Sequence, residues 1–573
     1  MDPSRSIPNV YNLGFKAGSL VAELLYMQRR VTLSEVADAL TSFPVLYKEW
    51  WLNLVANDPI HVLVETTLII AIVYFLVSRS KDWKASDEKE KLTAKEENEL
   101  LYDWKQNIRA PLAPKVQHQP ECAVIHKTDG RTITLQVNVS SAMSASSVST
   151  DSTPVTNNVS TEDAFKGGAA RAGESIHPAP EFKTVLNFGT SDYLGRSASN
   201  SLIKEAAIKA LDKYGCGSCG PRGFYGTVDV HLELESAMAK FIGTDDAILY
   251  SDGASTVSST VAAFAKRGDL IVADEGIYEP LMTGVSLSRA NVKWFKHNDM
   301  ADLQKVLAQV QESDRKLGRK LNDQRRFLVV EGLYKNTGKI VPLDDLIKLK
   351  EKYCFRLILD ESNSFGVLGK TGRGVTELFG KQLMRDVEIT TISLENAVGS
   401  IGGVTVGSEE VVDHQRLSGS GYCFSASSPP FTATAAIKSI ELLAEQPETL
   451  KQLRENQLYL RSKLLNLCQH KLEEVLVITS DERSPMVILQ VADIPETKNL
   501  DEIAFLSEVV KESLNRGVAF VATGHQSVGL VRTAPPPAIR ICVSCLHTKE
   551  DIDHAVTALG ESVDFVLNRM HDS

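Results

Sequence analysis

From residue 182 onward the chain alternates short apolar runs with spacers of helical length. The runs are DAILYS, DLIVADE, VKWFKH, RRFLVVEGLY, CFRLILDES and ITTISL. Their cores are short and partly β-branched. That pattern predicts a mostly parallel sheet with crossover helices, an α/β fold. Ligands of such sheets bind beyond the C-terminal ends of the strands. The residues directly after each run therefore carry the functional argument. With 573 residues and 43% hydrophobic content, the chain can bury a large core. Its net charge of −11 speaks against nucleic acid as a partner, which calls for a basic face.

Four stretches stand out on this frame. After DAILYS, small and hydroxyl residues lead into a helix start at 255–259. A helix N-terminus is a natural phosphate seat, and ordinary N-capping explains the residues equally well. After CFRLIL comes Asp360 and a glycine-punctuated loop. An aspartate there could pair with a cationic ring nitrogen, or be a plain loop carboxylate. The third stretch, TISLENAVGSIGG at 391–403, runs from strand into a close-approach glycine turn, yet holds no nucleophile and no lysine. The fourth, YGCGSCGPRGFYGT at 214–227, suits a backbone-rich loop against a ligand or partner. Its candidates are Cys219, Gly220, Pro221, Arg222 and Tyr225. Arg222 could bind a carboxylate or phosphate group, and Cys219 is expected in a tight spot where a large substitution would clash. A plain structural loop is the alternative.

Eight cysteines in a chain this long do not suggest a disulfide framework, and a reducing compartment follows. Cys216/Cys219 and Cys542/Cys545 have zinc-like spacing. Cys542 and Cys545 fall in a strand-like run, where residues three apart face opposite sides. Cys216 and Cys219 lack nearby histidines, so no metal site is expected.

The N-terminal third divides differently. Residues 1–58 read as amphipathic helices, suited to core packing or to a membrane surface. Residues 59–77, PIHVLVETTLIIAIVYFLV, are the transmembrane candidate, weakened by Glu65. A buried or interfacial helix is the alternative. Arg79, Lys81 and Lys84 follow it, placing the C-terminal side in the cytosol by the positive-inside rule. Residues 78–118 form a charged linker. Residues 119–181 hold a hairpin around Asp129-Gly130 and a Ser/Thr-rich insertion expected to be disordered. The sequons at Asn138 and Asn158 would then stay unglycosylated. A large domain at 182–430 and a smaller C-terminal α/β domain at 431–573 complete the chain.

Taken together, GPRGFYGTVDVHLELE, VVEGLYKNTGKIVPL, LDESNSFGVLGKTGRG, TISLENAVGSIGG, FSASSPP and IRICVSCLHTKEDID resemble the α-oxoamine synthases. These are fold-type-I pyridoxal-phosphate enzymes that join an amino acid to an acyl-CoA with loss of carbon dioxide. The motifs come in the family's order and cover residues 187–553. The resemblance implies a PLP-transferase large domain with active sites at a dimer interface. It also exposes departures. In catalytic members the segment matching TISLENAVGSIGG carries the Schiff-base lysine. Aligned on Gly402-Gly403, that position is Asn396, and an amide cannot replace an amine nucleophile. The family aspartate is kept as Asp360, but the histidine three residues on is Asn363. The ring-stacking histidine is missing from ADEGIYEP, where Tyr278 is the nearest ring. The asparagine-tipped turn after DAILYS is also unrecognisable. Arg540 matches the arginine that binds the substrate carboxylate, here in a degenerate site.

These losses, with the N-terminal segment, resemble the lysine-free subunits of the sphingolipid-forming branch. The resemblance implies a heterodimer at the endoplasmic reticulum membrane, its catalytic-fold domain cytosolic. The homologous partner would hold pyridoxal 5'-phosphate on its lysine and condense L-serine with palmitoyl-CoA to 3-ketosphinganine. This chain would stabilise the partner and complete its site. A small activating subunit and ORM-type regulators are further partners the resemblance implies. Two other readings stand beside it. One is a self-sufficient enzyme using a different lysine, the nearest in sequence being Lys381 and Lys438. The other is a membrane scaffold that recruits regulators.

Overall fold

The computed structural model describes residues 124–137, 181–470 apart from 199, 475–492, 501–524 and 535–571, with isolated positions between 67 and 101. The amphipathic helices, most of the 59–77 segment, the charged linker and the Ser/Thr-rich insertion lie outside the described residues. Among the described residues, no helix is long and apolar enough to cross a membrane. The described residues from 124 onward belong to one compact unit.

Strands β1 (Val124–Thr128) and β2 (Thr132–Val137) make the expected hairpin. Asp129 Oδ1 accepts from Thr132 N at 2.6 Å, and Gly130 takes φ 90°, as a tight turn requires. Strand β3 (Glu181–Asn187) pairs antiparallel with β2. Next come β4 (Asp246–Tyr250), β5 (Leu270–Asp274), β6 (Asn291–Phe295), β7 (Arg326–Glu331), β8 (Arg356–Asp360), β9 (Ile389–Ser393) and β10 (Gly403–Gly407). They form a seven-stranded sheet in the order β4-β10-β9-β8-β7-β5-β6. The six apolar runs are six of its strands. Every residue of β5, β7 and β9 is buried. Helices on both faces of a parallel sheet explain why these strands are apolar throughout rather than alternating.

The seventh strand, β10, was not among the runs. It pairs antiparallel with both β4 and β9. The reversal follows from the connection: 394–402 is too short for a crossover between parallel strands. TISLENAVGSIGG is therefore a hairpin, closed by Leu394 N donating to Gly402 O at 2.9 Å. Gly399 and Gly402 take φ 69° and 126°, conformations that side-chain-bearing residues avoid.

Strands β11 (Leu476–Ile478), β12 (Met486–Val491), β13 (Val518–Ala519), β14 (Val521–Thr523) and β15 (Ala538–Cys542) complete the set. A small antiparallel sheet runs β11-β12-β15-β14, while β13 lies parallel to β3. The C-terminal part is thus joined to the segment that precedes the large sheet. His547 is central to that joint. Its ring stacks on Phe188 with centroids 4.0 Å apart. Its Nδ1 accepts from Ser544 N at 3.0 Å, and Nε2 meets Asn187 O at 3.1 Å.

Burial pushes the His547 pKa down from 6.5 to about 4. Below about 6.5 the unfolded chain binds a proton that the folded chain refuses until about pH 4. Stability is full above that window and is lost as pH falls through it. The shift corresponds to roughly 3 kcal/mol. Calorimetry should find the wild-type Tm falling more steeply across this window than that of a His547→Gln variant. Equal slopes would contradict the assignment.

Candidate functional site: a cleft at the strand ends

Three carboxylates end adjacent strands of the large sheet: Asp274 on β5, Glu331 on β7 and Asp360 on β8. Their relative exposures are 0%, 0% and 1%. Buried carboxylates need donors, and the loops after the strands provide them. Asp274 accepts from Gly276 N at 2.7 Å, Asn298 N at 2.8 Å and the Tyr334 hydroxyl at 2.9 Å. Glu331 accepts from Tyr278 N at 2.7 Å and Lys335 N at 2.9 Å. Asp360 accepts from Ser362 N at 2.6 Å and from the Tyr278 hydroxyl at 2.8 Å. Tyr278 therefore bridges two of the three, with its backbone on one and its phenol on the other. Burial, then the Asp360 charge, holds both Glu331 and the Tyr278 phenol well above their usual values. Burial raises Asp360 as well. Tyr278 stays a protonated donor.

Asn396 and Asn363, which the resemblance sets at the family's lysine and histidine positions, meet. Asn396 Nδ2 donates to Ser362 O at 2.7 Å and lies 3.4 Å from Asn363 Oδ1. The amide ties the loop after β9 to the loop after β8. Beside it, Glu395 Oε1 accepts from Gly253 N at 3.0 Å. Gly253 opens the helix Gly253–Phe264, where a phosphate seat was one reading. Asp252 caps the same helix, accepting from Ser255 N at 2.7 Å. N-capping is what the structure contains there, with a second carboxylate that sequence reasoning missed.

The lysines weighed for a self-sufficient enzyme are engaged elsewhere. Lys381 pairs with Asp344, and Lys438 with Glu441. Sequence proximity overlooked Lys335, in the loop after β7, whose Nζ lies 5.7 Å from the centroid of the Tyr278 ring. Arg540 sits half-buried on β15, opposite Ile488 of β12 and Val521 of β14. Its buried Nε has no hydrogen-bond partner among the described residues.

Residues 183–559 match the model of a family described as aminotransferase class I and II. The chain belongs to the aminotransferase class I and II family. It is 43% identical to serine palmitoyltransferase 1 of Dictyostelium discoideum over 398 residues, covering 69% of this chain and 81% of that one. It is 45% identical over 381 residues to long chain base biosynthesis protein 1b of Oryza sativa subsp. japonica, covering 66% of this chain and 75% of the relative. Serine palmitoyltransferase 1 of Saccharomyces cerevisiae is 29% identical over 538 residues, 88% of this chain. A serine palmitoyltransferase from S. paucimobilis, solved with a PLP–myriocin aldimine, matches with a TM-score of 0.62 at 20% identity. That match covers 83% of this chain and 99% of the other, and shows the shared fold.

The fold is of the pyridoxal-phosphate type, so the cleft can be tested for that cofactor. The aldehyde needs an amine, the phosphate needs free backbone N–H groups, and the ring nitrogen is stabilised by a carboxylate. At the position the resemblance sets for the amine stands Asn396, bonded to Ser362. The first N–H of the helix is taken by Glu395. The aspartate is taken by the Tyr278 hydroxyl. The residues present do not fit the group.

The loop at 214–227 departs from expectation in two places. One reading of Arg222 had it binding a carboxylate or phosphate group, beside the reading of a plain structural loop. Instead its side chain is 3% exposed and lies 3.0 Å from Glu235. Its Nε donates to Thr227 Oγ1 at 3.0 Å and Nη1 to Leu249 O at 3.3 Å. All three guanidinium nitrogens are engaged inside the chain, so it pins the loop. Cys219 was expected in a tight spot. It is exposed, and the constraint is its left-handed backbone, φ 56°. Gly226 carries the steric constraint, since a Cβ there would lie 1.8 Å from Gly220 O. Pro221 bridges to Ala426, and Gly220 O accepts from Ser427 N at 2.9 Å. Those anchors leave Phe224 and Tyr225 projecting, 73% and 96% exposed.

Arg222→Ala would strand Glu235 as an unpaired buried charge, a loss of about 3–5 kcal/mol in urea unfolding. An Arg222→Met, Glu235→Leu double variant should recover most of it. A neutral single variant would refute the buried pair. Cys219 already carries the left-handed penalty of a Cβ, so Cys219→Gly should relieve it and Cys219→Val, β-branched, should destabilise further; equal Tm values would contradict this.

Proposed function

We propose that this chain is the lysine-free, long-chain-base 1 type subunit of a serine palmitoyltransferase, in the first step of sphingolipid synthesis. The reaction joins L-serine to palmitoyl-CoA and gives 3-ketosphinganine. In this reading the chemistry takes place on a homologous partner, the long-chain-base subunit 2. Pyridoxal 5'-phosphate is held by a lysine of that partner rather than by this chain. The observation that carries the proposal is Asn396, at the end of β9, donating to Ser362 O where an amine nucleophile would have to stand free.

This chain's part is to stabilise the pair and complete the partner's site. The loop at 214–227 suits that role. Its frame is rigid, through the Arg222–Glu235 pair and the Pro221–Ala426 bridge. Its tip presents two exposed aromatics, the kind of apolar surface that marks a contact site. Phe424, just before the bridged Ala426, is 84% exposed and extends the apolar character. We place the heterodimer at the endoplasmic reticulum membrane through the 59–77 segment, with the catalytic-fold domain cytosolic. A small activating subunit and ORM-type regulators would join it there.

Lys335 favours a second reading, a self-sufficient enzyme, because it approaches the Tyr278 ring. One experiment separates the two. The chain is purified alone and with its partner, supplied with pyridoxal phosphate, reduced with borohydride, and mapped by mass. The expected pyridoxyl-lysine lies on the partner only. An adduct on Lys335, or on any lysine of this chain, would sink the proposal.

A further inference from the structure

Glu395 is adjacent to Asn396, and the proposed function gives it no task. Its neighbourhood is nevertheless built. Its backbone N–H donates to Ser393 Oγ at 3.1 Å, which orients the turn. Its carboxylate reaches across to the start of the helix Gly253–Phe264. Gly253 makes that approach possible: a Cβ there would lie 2.5 Å from Ser393 Oγ and 3.3 Å from Glu395 Oε2. A glycine stands where strand β9 and the helix start touch. The contact places a negative charge on the positive end of a helix, on a backbone N–H that has no partner inside the helix.

We infer that Glu395 is a built-in occupant of this anion seat, closing the cleft to the phosphate of pyridoxal phosphate. Three features act in concert. Glu395 takes the N–H of Gly253, and Asp252 takes that of Ser255. Two carboxylates therefore already occupy this helix end, and an incoming phosphate would add a further negative group beside them, which Coulomb repulsion opposes. At the other end of the cleft, the Tyr278 hydroxyl already satisfies Asp360. Between them, the Asn396 amide draws the two loops together. The amide at Asn396, the first N–H of the helix and one oxygen of Asp360 are thus each engaged by the chain itself. Exclusion by Glu395 follows from this geometry. The further consequence, one cofactor per pair of chains, rests on the division of labour proposed above.

The inference is tested on the assembled heterodimer, with the partner's own sites saturated. Equilibrium dialysis against excess pyridoxal phosphate counts the cofactor bound. The wild-type pair should hold one equivalent. A Glu395→Ser pair should gain a second, reversible equivalent, bound about tenfold or more tighter than any residual wild-type uptake, as expected when one charge leaves a helix terminus. Glu395→Gln keeps the size and an acceptor but drops the charge, and should gain less. Inorganic phosphate should compete for the new site in both variants. Glu395 is exposed, so neither change opens the core. Size-exclusion chromatography checks assembly. If the serine variant fails to assemble, the glutamine variant decides alone. Assembled variants that stay at one equivalent, or a wild-type pair that takes two, would overturn the inference. A reversible second equivalent in the wild type without a borohydride-stable adduct removes only the role of Glu395. An adduct on this chain removes the division of labour itself.

Discussion

The cleft is organised by one constraint: three carboxylates end neighbouring strands with no access to water. Removing such groups from solvent is expensive unless donors converge on them. Asp274, Glu331 and Asp360 each receive two or more hydrogen bonds from the loops that follow. Those loops are the ones that shape any site in a parallel sheet. Their conformations are therefore dictated from below, by the hydrogen-bond demand of the strand-end carboxyl groups, before any ligand is considered. A chain can lose its chemistry and keep this cleft, because the cleft is required for the fold.

The departures from a catalytic pattern are coherent with one another. Asn396 and Asn363 approach each other, and Asn396 also bonds the backbone of the β8 loop. Each such neutral hydrogen bond contributes about 1 kcal/mol, modest but directional. Tyr278 supplies the proton donor that the buried Asp360 needs. Glu395 satisfies a helix terminus. The replacements pair with neighbouring groups, while the half-buried Arg540 keeps an unpartnered Nε among the described residues.

Much of this was legible in the sequence. The apolar runs marked six strands of the large sheet because parallel strands are buried on both faces. Asp129-Gly130 marked the hairpin turn through its turn chemistry. Asp360 was found by its position at a strand end, and Asn396 by aligning the family resemblance on Gly402-Gly403. Strand β10 was missed because its glycines read as loop, and because reversal is set by connection length rather than composition. Arg222 was misread for a physical reason. Its partner Glu235 lies on the following helix, and only the folded loop brings the two together. An arginine in a glycine-rich loop looks free until its burial is known. Glu395 was in plain view. The signal available was a carboxylate next to the missing lysine, facing a helix start with open N–H groups. Lys335 had no such signal, since its approach to Tyr278 depends on two loops from different strands.

The central claim is that this chain fills its own cleft and leaves the cofactor to a partner. The most direct measurement is a high-resolution structure of the heterodimer prepared with saturating pyridoxal phosphate. The account predicts cofactor density in the partner's cleft alone. In this chain the Tyr278 hydroxyl should remain on Asp360, and the Glu395 carboxylate on Gly253 N. Ring density lying between Tyr278 and Asn396, with phosphate at the start of the helix Gly253–Phe264, would contradict it.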